Sequence, residues 1–163
     1  MRTILTIESG KKVKIKLARR AARAVLFDGK NQVAMLYVSK DNYYKLPGGG
    51  IDKGETIIQA LRRECLEETG CKIKNIKELG RIDEFRYFYA FKQISYCFSA
   101  QVSGVKGKLF FTDDEIAAGF KLKWMSLSKA IELMEKAKIS SPTGRVINKR
   151  DLTFLKVVFG KQT

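Results

Sequence analysis

Residues 46–71 read LPGGGIDKGETIIQALRRECLEETGC, and the densest part, Arg63-Glu64-Cys65-Leu66-Glu67-Glu68, sets three carboxylates within five residues. At about 100° per residue, Glu64, Glu67 and Glu68 stand at i, i+3 and i+4 and share one stripe of a helix. Like charges at that spacing cost an isolated helix roughly 0.2–0.5 kcal/mol per pair. A divalent cation supplies the missing attraction, because hard ions such as Mg²⁺ take carboxylate oxygens and keep waters that substrate phosphates can replace. Ile58, Leu61 and Cys65 recur at i, i+3 and i+7, a core-facing stripe rotated by roughly 90° from the carboxylates. Thr56-x-x-Gln59 has the form of a capping box, so the helix is predicted to begin near Glu55 or Thr56. Gly70 falls where a left-handed helix end needs it. Ahead of the helix, Pro47-Gly48-Gly49-Gly50 forces a loop whose backbone can lie close to a ligand.

Upstream of this segment, residues 3–7 (TILTI) and 13–17 (VKIKL) alternate around Glu8-Ser9-Gly10-Lys11, which predicts a basic strand pair over residues 1–19. The apolar runs Ala21–Phe27 and Gln32–Val38 are joined by Asp28-Gly29-Lys30-Asn31, a turn signal, and a short strand is expected around Tyr43–Leu46. Downstream, 76–88 and 93–102 read as strands, 121–125 as a short strand and 126–136 as a helix capped by Ser126 or Ser128. Leu152, Leu155, Val158 and Phe159 at helical spacing predict a closing helix at about 150–160, after a loop at Ser140–Gly144. The whole reads as one domain over residues 1–163, with a core at about 20–137.

Composition narrows the function. With no histidine among 163 residues, imidazole-based triads and Cys/His zinc sites are excluded, and acid–base work falls to carboxylates, lysines, tyrosines or metal-bound water. Three cysteines without metal-ligand spacing fit reduced thiols in a cytoplasmic setting. No apolar run reaches the roughly 18 residues of a membrane span, and no membrane partner is expected. The net charge is +15 and unevenly placed. Residues 1–24 carry eight Lys/Arg against Glu8 alone, and 121–163 carry ten against three acids, so a near-neutral centre is flanked by two basic segments. Such a field draws polyanions inward and favours RNA in a salt-dependent manner, although solubility alone is the plainer reading.

Gly49-x5-Glu55-x7-Arg63-Glu64-Cys65-x-Glu67-Glu68-x-Gly70-Cys71 resembles the box of the Nudix hydrolase family, G-x5-E-x7-R-E-U-x-E-E-x-G-U with U a bulky aliphatic. Every polar and glycine position matches; Cys65 and Cys71 stand in aliphatic slots, a mild departure for a residue that buries like a small hydrophobe. The resemblance implies an α/β/α sandwich with a mixed central sheet, and a hydrolase that splits pyrophosphate bonds in nucleoside diphosphate derivatives using Mg²⁺ or Mn²⁺. It also implies Glu64, Glu67 and Glu68 as metal ligands with the Gly48 carbonyl. By the same resemblance Glu64 would serve as general base, Arg63 would fix it, and Gly49, Glu55 and Gly70 would support the box. In some members the base lies on a later loop, for which Asp113, Asp114 and Glu115 are the candidates; a polar turn or helix cap is the plainer reading of them. Tyr44, Tyr87 and Tyr89 are weaker candidates for stacking on a base, since Phe85, Tyr87, Tyr89 and Phe91 alternate as any half-buried strand does. Three functional classes stay open: a hydrolase of small nucleotides or polyphosphates, an RNA-directed protein acting on or sensing 5′ phosphate ends, and a nucleotide-binding module without turnover. A homodimer is among the open oligomeric states.

Overall fold

The computed structural model describes residues 1–161. At its centre runs strand β2 (Leu17–Phe27), exposed over its first four residues and buried from Ala21 onward. Its buried side chains alternate between two layers, as the two-residue period of a strand requires. Ala22, Ala24 and Leu26 enter one layer with Ala60, Leu61 and Cys65 of helix α1 (Ile57–Thr69). Val25 and Phe27 enter the other. There they meet Leu127, Ala130 and Met134 of α3 (Leu127–Lys136) and Val146, Phe154 and Leu155 of α4 (Pro142–Phe159). A sheet therefore lies between helices on both faces, the α/β/α arrangement expected.

The sheet is mixed. Its order is β1 (Thr3–Ser9), β5 (Lys72–Arg86), β6 (Phe91–Ser103), β2, β3 (Gln32–Val38) and β4 (Tyr43–Lys45), with β7 (Phe120–Ser126) also paired to β3. The β1–β5 and β2–β6 pairs are parallel, the others antiparallel. Strands β2 and β3 are in register at Phe27 and Val33 and then diverge, leaving an edge of β2 free for the glycine loop. Ala24 N–H donates to the Pro47 carbonyl and Ala22 N–H to that of Gly49, both at 3.0 Å. Between them Gly48 has φ 129°, and a Cβ there would lie 2.1 Å from the Ala22 carbonyl oxygen. Only glycine lets the loop lie this close to the strand.

Helix α1 begins as its capping box dictates: the Thr56 hydroxyl accepts from Gln59 N–H (3.2 Å) and the Gln59 side chain accepts from Thr56 N–H (2.8 Å). It ends at Gly70 with φ 66°, whose N–H donates to Leu66. The three free cysteines, Cys65, Cys71 and Cys97, are all buried, and burial pushes the thiols of Cys65 and Cys97 up.

Two expectations need correction. Residues 3–7 do not pair with 13–17: β1 runs parallel to β5, with Ile7 opposite Glu84, and residues 13–16 form no strand. Pairing with β5 buries Ile7 to 3% exposure among Ile82 and the α4-side core, which an edge hairpin would leave wet. The closing helix starts at Pro142 rather than near 150, because Ser141 caps it by accepting from Gly144 N–H at 3.0 Å and Pro142 occupies its first turn, where its missing N–H costs nothing. The stretch read as a loop at Ser140–Gly144 is thus a helix start. Strands β5 and β6 are longer than expected and are joined by a 3₁₀ turn at Tyr87–Tyr89.

Candidate active site

The glycine loop, α1, β2 and α4 enclose a cleft of about 430 Å³, within the range of roughly 300–1,000 Å³ usual for small-ligand sites. Glu64 and Glu67 line it from α1. Glu68, one turn further along, lies behind the loop at 1% exposure. Its carboxylate accepts from the Gly48 amide and from Lys45 Nζ at 2.9 Å. Glu64 reaches up under Gly49 so closely that a Cβ on that glycine would lie 2.2 Å from its Oε1. Burial raises the pKa of Glu64 against the opposing pull of Arg63, and that of Glu68 against Lys45 and the Gly48 amide.

Arg63 ties this face together. Its Nε and Nη2 meet the two oxygens of Glu55 at 2.8 and 2.9 Å, a fork-to-fork pair. Nη2 also donates to the Gly50 carbonyl at 3.0 Å, and Nη1 is shared between Glu64 (2.9 Å) and Glu67 (3.3 Å). The bidentate partner is therefore Glu55, whose carboxyl the Arg63 hydrogen bond holds at about 2, while the two cleft carboxylates share one corner of the guanidinium.

The opposite wall is basic, and the charge of the two flanks does not by itself say which arginines form it. Arg19 and Arg23 of β2, Arg86 of β5 and Arg150 of α4 all line the cleft. Arg23 shares a face of β2 with Val25 and Phe27, so it extends the α4-side core layer with a charge. Around it that layer turns polar. Arg150, 1% exposed, contacts Asp151 through Nε at 2.6 Å and Glu84 through Nη1 at 3.3 Å. Glu84, fully buried, also accepts from Arg86 (2.7 Å), Ser95 (2.7 Å) and Gln93 (3.0 Å). Asp151 accepts from Leu46 N–H at 2.9 Å, which anchors the chain just before the glycine loop. Arg23 is 6% exposed, yet among the described residues its Nε and Nη1 have no hydrogen-bond partner, and neither has Arg86 Nε. The sequence signals for this wall are the two basic flanks, which supply Arg19, Arg23 and Arg150, and the one arginine inside the apolar run Ala21–Phe27.

The remaining candidates divide. Asp113, Asp114 and Glu115 open the short helix α2 (Asp113–Ala117), capped by Thr112. Of the three, Glu115 lines the cleft, with its carboxylate accepting from Thr112 N–H at 2.9 Å; Asp113 and Asp114 are exposed outside it. Tyr43 rather than Tyr44 lines the cleft, the Tyr44 ring packing on Tyr37 at 5.0 Å. Tyr87 donates to Glu8 at 2.9 Å, and Tyr89 is 61% exposed edge-on to Phe88; both lie outside the cleft. A larger cavity of about 650 Å³ lies at the far end of β2, around Phe27, Asn75 and Gln101. Its one carboxylate, Asp28, is already held by Lys106 at 2.7 Å.

Comparison with known proteins places this geometry. The NUDIX domain model matches residues 17–146. A curated relative, the RNA pyrophosphohydrolase of Sulfurovum sp. (strain NBC37-1), is 31% identical over 115 residues, covering 71% of this chain and 59% of its own length. The RNA pyrophosphohydrolase of Wolbachia sp. subsp. Drosophila simulans (strain wRi) is 34% identical over 71 residues, covering 43% of each protein. The chain thus spans about half the length of these relatives. Among solved structures, a NUDIX hydrolase from Nitrosomonas europaea superposes with a TM-score of 0.65 at 18% identity, covering 88% of this chain and 89% of that one. The NUDIX domain of Shewanella oneidensis NrtR, solved with ADP ribose, gives 0.63 at 17% identity, covering 94% and 91%. The fold is shared with these structures, and the match over residues 17–146 shows that the chain belongs to the NUDIX family.

Proposed function

We propose that this chain is a divalent-metal-dependent pyrophosphohydrolase acting on the phosphoanhydride bonds at the 5′ end of RNA. The observation that carries the reading is a cleft with Glu64 and Glu67 on one wall and Arg19, Arg23 and Arg86 on the other. Carboxylates suit a hard cation and arginines suit phosphate oxygens, so the two walls are complementary to a metal-bound polyphosphate. The curated relatives bear the name RNA pyrophosphohydrolase, and of the basic flanks Arg19, Arg23 and Arg150 converge on the cleft. The three buried thiols accord with a cytoplasmic setting, and among the described residues no helix is long and apolar enough to cross a membrane.

The donor set fits Mg²⁺ or Mn²⁺: Glu64, Glu67 and Glu68 offer carboxylate oxygens, and the Gly48 carbonyl lies between two whose oxygens are engaged by β2. Among the described residues no three acidic groups converge on one point. Lys45 draws Glu68 one way and Arg63 draws Glu64 and Glu67 the other, so an ion would compete with these cations for the same oxygens. When bound, such an ion lowers the pKa of water and neutralises phosphate oxygens. Glu64 takes the proton from the water whose oxygen bonds to phosphorus; the anhydride P–O bond breaks, and the departing phosphate keeps the electron pair. Arg63 holds Glu64 in place for that transfer, and Glu67 and Glu115 are the further carboxylates lining the cleft.

A panel of 5′-triphosphorylated RNA, nucleoside triphosphates and dinucleoside polyphosphates, assayed with Mg²⁺, tests the reading. The expected result is RNA left with a 5′ monophosphate, lost on chelation and in Glu64→Gln while the far-UV circular dichroism spectrum is unchanged. Turnover of free nucleotides alone would move the activity to small substrates, and no release from any member would overturn it.

A further inference from the structure

We propose that Arg23, with Arg86 of the same cleft, forms a phosphate seat that works without the metal. This rests on the pyrophosphohydrolase reading and names the groups that would hold the substrate on the wall opposite the carboxylates.

Three observations meet at Arg23. It is 6% exposed, and two of its guanidinium nitrogens, Nε and Nη1, have no hydrogen-bond partner although they are buried. A buried charged donor left unmade is costly, so proteins retain one chiefly where something else completes it. Second, none of the nearby carboxylates hydrogen-bonds it, each being engaged by another cation. Asp151 is engaged by Arg150 through both oxygens, and Glu84 by Arg86, Arg150, Ser95 and Gln93. On the other side Lys45 holds Glu68, and Arg63 holds Glu64. In the buried polar layer the arginines 23, 86 and 150 face two carboxylates, Glu84 and Asp151, which leaves one positive charge over. Third, Arg23 and Arg86 both line the cleft, and Arg86 also has its Nε unpartnered. Two guanidinium groups with unspent donor capacity thus line one cavity, and guanidinium is the side chain best suited to phosphate oxygens. Burial and the nearby Arg150 lower the Arg23 pKa to about 10, so it stays charged at neutral pH.

The anion this seat takes is a phosphate group of a polyphosphate, since a single surplus charge with several forked donors suits a small multi-oxygen anion better than a side-chain carboxylate. Its occupation would remove the cost of the unpaired charge, so binding should raise stability.

Thermal unfolding and calorimetric titration of the full chain with inorganic pyrophosphate, in EDTA, test this directly. Wild type should melt at higher temperature as pyrophosphate is added. Arg23→Met should melt above wild type without pyrophosphate and bind it roughly 10- to 100-fold more weakly, the loss expected for charge-assisted hydrogen bonds. Lys14→Gln, an exposed change outside the cleft, should bind as wild type does. The proposal is overturned if wild type shows neither a shift nor heat with millimolar pyrophosphate, which would mean that internal water alone satisfies Arg23. It also falls if Arg23→Met binds as tightly as wild type. Should Arg23→Met not fold, Arg23→Lys keeps the charge but not the fork, and undiminished affinity there sinks the idea. Glu64→Gln separates the two readings: it should abolish hydrolysis yet retain metal-free pyrophosphate binding. Binding without any turnover in wild type would leave the seat standing and remove the proposed activity.

Discussion

At the scale of the residue, Arg63 shows how one side chain sets the positions of three others. Glu55 takes both arms of its fork, which leaves Nη1 fixed in space for Glu64 and Glu67. A lysine keeps the charge but has no planar fork, so it cannot satisfy Glu55 and orient the cleft carboxylates together. Arg63→Lys is expected to lower kcat by about 10- to 100-fold, the usual cost of removing an orienting partner, with little change in melting temperature. Steady-state kinetics beside a thermal melt checks this, and an unchanged kcat would show that Glu64 orients itself. Glu64, Glu67 and Arg63 were legible in the sequence because their spacing along one helix is enough to place them together; that Glu68 turns to Lys45 and the Gly48 amide was not. Nor was Arg23. A lone arginine in an apolar run gives no local sign of what it faces, and its neighbours Glu84 and Arg150 come from a strand and a helix distant in the chain.

At the scale of the element, α4 is fastened to the sheet through buried charge as well as through apolar packing. Burial alone would push the Glu84 carboxyl up, but Arg150 and then Arg86 outweigh it and hold the pKa down to about 2 from the usual 4.5. A carboxyl depressed in the folded state adds stability that is complete above its unfolded pKa and is lost as pH falls through the window from about 4.5 to 2. Glu84→Gln should therefore be less stable at neutral pH by roughly 3–5 kcal/mol, the cost of stripping a partner from buried cations. The difference from wild type should shrink as the medium is acidified through that window. Urea melts at pH 7, 4 and 3 would show it, and a constant difference would mean that the carboxylate is not what secures α4. The caps of α1 and α3 and the mixture of strands and helices could be read from local rules. The start of α4 was missed because its capping serine and first-turn proline lie in a stretch whose polar composition looks like loop. The partner of β1 was missed because parallel pairing is set by tertiary burial, which alternation along a single segment does not encode.

At the scale of the whole molecule, the surplus of positive charge is shared between the cleft wall and an exposed surface. Arg19, Arg23 and Arg150 bring part of it to the cleft, while Lys11, Lys12, Lys14 and Lys149 stay in solvent. Association with a 5′-triphosphorylated oligonucleotide should therefore weaken steeply with salt, with log affinity falling by roughly 0.7 per phosphate contact for each decade of salt on single strands. Fluorescence anisotropy of a labelled oligonucleotide between 50 and 200 mM KCl, roughly the range over which counterion release dominates, measures that slope. A flat profile would confine recognition to the cleft.

The burial of Cys65, Cys71 and Cys97 has a practical consequence for work on this protein. With no native thiol at the surface, maleimide chemistry under native conditions meets little competing background. One cysteine placed at exposed Lys53, beside the turn that leads into α1, would then carry a fluorophore that reports on events at the cleft without deleting any of the chain's own thiols.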